Sequence, residues 1–280
     1  MFKMNNYPKS ICVVFLFVFL FVFPFQDLLF AKNLSEKDKL NEKFFINFKN
    51  DFTDVLVSPT KWKKKDFLNL SAVLGAGFLL YAVDQDIHQW FQDNRSPSSD
   101  DVFNVLSSFG HGVVLTGLIA ALYATGELSH NNSLRKTALL SLESWLTTGI
   151  IVTGLKCVTG RARPYTDESS HTFYPLATKS RYYSFPSGHA SSAFAVATTI
   201  AHQSEKLYVD ILAYSLATLV AISRVHNNKH WPSDVLVGAS IGYFVAKKIY
   251  TLDRKRNSSN VNVSFQFSSQ RQAFSITFVF

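Results

Sequence analysis

Six apolar stretches recur along this chain, at roughly 67–83, 108–125, 138–155, 189–202, 207–223 and 234–246, and nothing else in the sequence restricts its fold as strongly. Several approach the ~20 residues that cross a hydrocarbon core, while the fourth and sixth are short. Glu143 and Asp210 interrupt two of them. The stretches are rich in Gly, Ala, Ser and Thr, which let helices approach closely in lipid, and Gly238 and Gly242 form a small-x3-small pair. The pattern predicts an all-α fold, a bundle of about six apolar, membrane-embedded helices over residues 66–252. Between the first two stretches, Asp84 to Asp101 is polar and contains Pro97. It reads as a loop with a short amphipathic helix around Ile87–Phe91.

The ends differ from this core. Residues 1–31 carry a basic start (Lys3, Lys9) and an almost unbroken apolar run from Ile11 to Phe25, with a cleavage point after Ala31. They read as a signal peptide, with an uncleaved N-terminal anchor as the rival. Residues 32–65 are polar and end in Lys61-Trp62-Lys63-Lys64-Lys65. This segment is a solvated linker or a surface helix, and lysines beside a tryptophan suit a membrane interface. Residues 253–280 end the chain with two alternating runs, Val261 to Phe267 and Phe274 to Phe280, around the turn Ser268–Gln272. They predict a short C-terminal β-hairpin-like tail, since two strands cannot close a barrel in lipid.

Three short motifs sit at the ends of the apolar stretches. Lys156 precedes Arg163-Pro164; Pro186-Ser187-Gly188-His189 opens the fourth stretch; Ser223-Arg224 leads to His230 and Asp234. If the helices alternate in direction, all of these positions fall at one end of the bundle. A phosphoryl group in transfer spreads negative charge over three oxygens and needs several fixed donors. Lys156, Arg163 and Arg224 supply them, and the two guanidinium forks match phosphate geometry. Ser187 and the Gly188 N–H stand where a helix start aims free N–H groups at an anion. His230 attacks phosphorus only with one ring nitrogen unprotonated, and Asp234, one helical turn on, is placed to hold the other. His189 is left to protonate the departing oxygen.

These residues and spacings resemble the type 2 phosphatidic acid phosphatase family, which includes class A acid phosphatases and vanadium haloperoxidases. The family pattern is Lys-x6-Arg-Pro, then Pro-Ser-Gly-His, then Ser-Arg-x5-His-x3-Asp, and all three parts stand here in order over roughly 137–250. The resemblance implies a phosphohistidine on His230 and His189 as the acid. It also implies a phosphate site lined by Lys156, Arg163, Ser187, Gly188, His189 and Arg224. The expected reaction is hydrolysis of a phosphate monoester or diphosphate, with a lipid as substrate and the membrane as partner. The rivals are a secreted soluble acid phosphatase, a vanadate-dependent haloperoxidase and a non-catalytic membrane protein that binds anionic head groups.

Other chemistries find little support. The net charge of +8 has no basic helix or aromatic–basic surface motif behind it, so nucleic acid is not an expected partner. Cys12 and Cys157 cannot build a disulfide framework. No histidine or cysteine cluster has metal-ligand spacing, and neither metal nor cofactor is expected. The loop Tyr165–Phe185 is long enough to cover the site. Sidedness is contested within the sequence. Lys61–Lys65, Arg135, Lys136, Lys206, Lys247, Lys248, Arg254, Lys255 and Arg256 flank the face opposite the motifs, which places the site on the periplasmic side of a bacterial inner membrane. A cleaved signal followed by six full spans places it inside. The charge distribution is given more weight, because the two short stretches make the span count unsafe.

Overall fold

The structure, a computed structural model, describes residues 38–258. Among them the chain forms nine α-helices: α1 (Glu42–Leu56), α2 (Lys64–Ala82), α3 (Asp84–Asp93), α4 (Pro97–Ser108), α5 (Gly112–Leu128), α6 (Asn132–Thr159), α7 (Gly188–Ser204), α8 (Leu207–His226) and α9 (Pro232–Ser258). The leader expected over 1–31 and the β-patterned runs expected from Val261 to Phe280 lie outside the described residues.

The all-α bundle is as the apolar pattern implies, but its spans are unequal. α6, α8 and α9 are each long and apolar enough to cross a membrane. Two bent pairs, α2 with α3 and α4 with α5, meet the same test together, with bends of 59° and 53°. The short amphipathic helix expected around Ile87–Phe91 is present as α3, while the loop expected to run on to Asp101 is corrected to a brief turn and the start of α4 at Pro97. Asp84 and Asp86 suit the positive N-terminus of α3. Ser96 and Ser99 cap the start of α4 reciprocally, with Pro97 in its first turn. The lysine-rich segment before α2 contains α1, whose Val55 packs with Leu140, Val245 and Ile249. Along α2, Phe67, Leu68, Leu74, Phe78 and Leu79 are all exposed. An outward apolar stripe of this kind is a surface that hydrocarbon covers.

α7 is the inner helix, packed against α6, α8 and α9. Its buried residues are mostly Ala, Ser and Thr. This accounts for its short, weakly apolar segment: a helix enclosed by helices needs small side chains rather than a lipid-facing surface. The Gly238–Gly242 pair lies on this contact. A Cβ at Gly242 would stand 2.1 Å from the Ser191 carbonyl oxygen, and one at Gly238 2.5 Å from that of Ser187. Neither backbone oxygen can yield, so α9 touches α7 only because both positions are glycine. This close approach lets the Ser187 N–H donate to the Asp234 carbonyl at 2.9 Å, joining the second motif to the third.

Candidate active site

Lys156 occupies the last turn of α6, which continues past the end expected from the apolar pattern and stops at Gly160. Gly160 has φ +60°, and a Cβ there would lie 1.7 Å from the Tyr174 carbonyl oxygen, so the chain turns here only with glycine. The loop that follows returns over the helix end. Its Tyr183 carbonyl accepts from Lys156 Nζ at 2.6 Å and from Arg163 Nη2 at 3.3 Å, bringing both cations of the first motif to one point. Gly188 is close by: a Cβ there would be 3.7 Å from Lys156 Cε. Ser187 is the N-cap of α7, its Oγ accepting from the Ala190 N–H at 3.5 Å.

Arg224, in the last turn of α8, donates through Nη1 to Ser107 Oγ. Its Nε, like that of Arg163, is buried without a protein partner. Buried guanidinium N–H groups are costly to leave unbonded. Two of them in one cluster form a site ready for an anion. His189, in the first turn of α7, packs on Gly110, where a Cβ would come within 2.9 Å of its own. The ring of His111 stands 5.9 Å from that of His189, centroid to centroid. Burial first, then Arg224, His111, Arg163 and Lys156, hold His189 well below the usual imidazole range.

His230 is almost fully buried. Its Nδ1 lies 2.7 Å from the Ser184 carbonyl oxygen, which can only accept, so Nδ1 carries the hydrogen and Nε2 the lone pair. Burial, followed by the positive charges of Lys156, Arg163 and Arg224, keeps this ring neutral by holding its pKa far below the ordinary value. The expected direct bond from Asp234 to His230 is replaced. Asp234 Oδ2 is 3.8 Å from Nδ1, outside hydrogen-bond range. Its lone pairs are taken by Ser184 Oγ at 2.5 Å, the Trp231 N–H at 2.9 Å and Arg161 Nη1 at 2.6 Å. Asp234 thus grips both Ser184, whose carbonyl orients the histidine, and the first turn of α9.

Arg161 is the main residue that the motif pattern did not single out. Its side chain is 1% exposed and bridges Asp84 at 2.7 Å and Asp234 at 2.6 Å. It also donates to Ser170 O and Ser233 Oγ, and its guanidinium faces the rings of Tyr81, Phe173 and Trp231. Asp84 in turn accepts from the Ser233 N–H at 2.8 Å and Ser233 Oγ at 2.5 Å. A second unforeseen layer holds the segment before His230. Gln92 donates to the carbonyls of Val225 and His226, Ser99 bonds His226, and His88 bonds Asn228 at 2.8 Å. The only signal in the sequence was a polar stretch between apolar segments.

Residues 137–258 match the family model of the PAP2 superfamily. It is 42% identical over 69 residues to a lipid A 1-phosphatase of Porphyromonas gingivalis, a match covering 24% of this chain and only 16% of that protein. A lipid A 1-phosphatase of Rhizobium etli is 26% identical over 197 residues, which cover 66% of this chain and 82% of that one. Among solved structures, the transmembrane PAP2 type phosphatidylglycerolphosphate phosphatase of Bacillus subtilis superposes with a TM-score of 0.53 at 26% identity, covering 66% of this chain and 95% of that chain.

Proposed function

We propose that this protein is a membrane-embedded phosphatase that hydrolyses a phosphate monoester or diphosphate on a lipid, through a phosphohistidine on His230. The observation that carries this reading is His230 itself, held neutral with Nδ1 on the Ser184 carbonyl and Nε2 unprotonated beside three cations. Nε2 attacks phosphorus, the bond from phosphorus to the ester oxygen breaks, and that oxygen takes the proton of His189. Lys156, Arg163, Arg224 and the N–H groups at the start of α7 hold the equatorial oxygens. Water then attacks the phosphohistidine and gives a proton to His189, the P–N bond breaks, and phosphate leaves with His189 recharged. In the empty site His189 is neutral, and the dianionic substrate supplies the negative charge that raises its proton affinity. Asp234 acts as a positioning residue, through Ser184 and Arg161.

A lipid substrate is supported by the surroundings of the site. An apolar cavity between α5, α7 and α8 begins at Phe109 and Val220, next to the Gly110–His189 contact, and continues past Ala197 and Leu216 to Leu122. Both relatives above are named for a lipid phosphate. The site lies at the end of the bundle away from Lys61, Lys63–Lys65, Lys247, Lys248 and Arg254–Arg256, which supports a periplasmic site on a bacterial inner membrane.

Purified protein in detergent, assayed for phosphate release from phosphatidate, a prenyl diphosphate, a lipid A phosphate and soluble esters, tests the reading. Turnover of at least one lipid well above the soluble esters is expected. Preference for the soluble esters would move the assignment to an acid phosphatase. Cysteine labelling in spheroplasts, with a site in the Tyr165–Phe185 loop reactive and one at Asn257 protected, tests the sidedness.

A further inference from the structure

Charge balance within the site points to a residue outside the three motif sets. The buried cluster gathers Lys156, Arg161, Arg163 and Arg224 around only two carboxylates, Asp84 and Asp234. Lys229 stands just outside this cluster. It lies in the tight turn between α8 and α9, where the backbone N–H groups of Lys229 and His230 donate to the Arg224 carbonyl at 3.0 and 3.2 Å. Asn228, at φ +56°, makes the turn and is tied to His88.

The position of the ammonium is set by the first motif. Lys229 Nζ is 4.7 Å from the centroid of the Tyr165 ring, and the Arg163 guanidinium lies 6.0 Å from the same ring. Tyr165 therefore places the exposed lysine alongside Arg163 by a cation–π contact. Among the described residues no carboxylate pairs with Lys229. Partial burial, then Arg163 and Arg224, lower its proton affinity, as a cation facing the same space as those arginines should show. A further positive charge thus stands beside the phosphoryl pocket, alongside Arg163.

We propose that Lys229 is a second anion subsite beside the phosphoryl pocket, and that the preferred substrates carry a further negative group next to the transferred phosphoryl, as a diphosphate does. The inference rests on the phosphatase reading and narrows it. With a diphosphate, His230 attacks the terminal phosphorus and the bond to the bridging oxygen breaks. That oxygen takes the proton of His189, and the inner phosphate leaves as a monoester whose charge Lys229 faces. Hydrolysis of the phosphohistidine by water then proceeds as above.

The test compares a prenyl diphosphate with the prenyl monophosphate of the same chain, using purified full-length protein in detergent. The readout is the ratio of the two kcat/KM values. Lys229→Gln is expected to lower the diphosphate-to-monophosphate ratio about tenfold, chiefly through KM for the diphosphate. Lys229→Arg, which keeps the charge, is expected to retain most of the ratio. A ratio that is the same in wild type and K229Q would overturn the proposal, whether both activities fall together or neither changes. Turnover of phosphatidate or a lipid A phosphate but of neither prenyl compound would overturn the inference alone, whereas failure of wild-type protein on all of these lipids would sink the phosphatase reading, and the inference with it.

Discussion

Replacing Asp84 with asparagine separates the chemistry of the site from its support. Asp84 is fully buried, far from the three motifs in sequence, and accepts from Arg161 Nη2, the Ser233 N–H and Ser233 Oγ. Asparagine has the same shape but one acceptor oxygen. Its amide NH2 must face a donor that the carboxylate now satisfies. A bond to a charged partner is worth about 1.5–3 kcal/mol, and leaving a buried donor unmet costs about 1–3 kcal/mol. The Arg161 charge itself remains compensated by Asp234 at 2.6 Å, so the full cost of an orphaned buried ion does not apply. The net loss of stability is then about 2–4 kcal/mol.

The effect on turnover runs through Arg161, Asp234 and the Ser184 carbonyl to the His230 ring. A misaligned nucleophile loses transition-state stabilisation more than substrate binding. We expect kcat to fall about 10–100-fold, or about 1.4–2.7 kcal/mol, with KM changed by less than about threefold. Steady-state phosphate release and thermal unfolding of Asp84→Asn and wild type, measured in the same detergent, give both quantities. A Tm that falls while kcat of the folded fraction stays at the wild-type value would refute the argument and leave Asp84 a purely structural residue. An unchanged Tm would refute the packing argument as well.

The remaining predictions concern the histidines and the helix contact. His230→Ala is expected to abolish turnover and the acid-labile phosphoprotein that rapid quenching of wild type should trap; label on another residue would overturn the assignment. His189→Ala should slow lipid phosphates far more than activated aryl phosphates, whose departing oxygen needs little help from an acid; equal losses would remove His189 as the acid. Because His189 and His230 are held below their ordinary values, the unfolded chain binds more protons than the folded one under about pH 6.5, and stability falls as pH drops from 7 towards 5. A bound phosphate analogue such as vanadate should flatten that dependence, and Tm measured against pH for wild type and His189→Gln shows whether these rings carry it. Gly242→Ala puts a methyl 2.1 Å from the Ser191 carbonyl oxygen and should lower Tm and the yield of folded protein, whereas Gly75→Ala, which meets nothing within 4 Å, should not.

The motifs were legible because each requires particular side chains at a fixed spacing along one or two helical turns. The structure brings Lys156, Arg163, Ser187, Gly188, His189, Arg224 and His230 to one end of the bundle, where alternating helices put them. What stayed hidden depends on contacts between distant segments. No local pattern announces that Arg161 turns inward between Asp84 and Asp234, or that a backbone carbonyl, Ser184, orients His230. The i, i+4 spacing of His230 and Asp234 suggested a direct bond. It failed because the first turn of α9 uses the carboxylate to hold the Trp231 N–H, leaving Oδ2 3.8 Å from the ring. In the polar stretch from Asp84 to Asp101 the pattern shows a short helix around Ile87–Phe91 but not the full extent of α3 or the start of α4, for a similar reason. Its helices bury few apolar side chains, and their polar groups are spent on the segment that carries Arg224 to His230.

That distribution of labour explains why the matched residues 137–258 do not form the site by themselves. Arg161 and Arg224 are both buried cations, and each takes a partner from before residue 137: Asp84 for the first, Ser107 for the second. His111 reaches His189 from the same region. Without α2 to α5, Arg161 would keep only one carboxylate, Arg224 would lose its hydroxyl, and Gly110 would no longer back His189. In the proposed reaction the motif residues supply the reacting atoms and the donors. The preceding helices fix where those donors point, and catalysis of phosphoryl transfer is almost wholly a matter of where fixed charges point. Variation in Asp84, Ser107 and His111 is therefore a means of tuning this site without touching any motif residue.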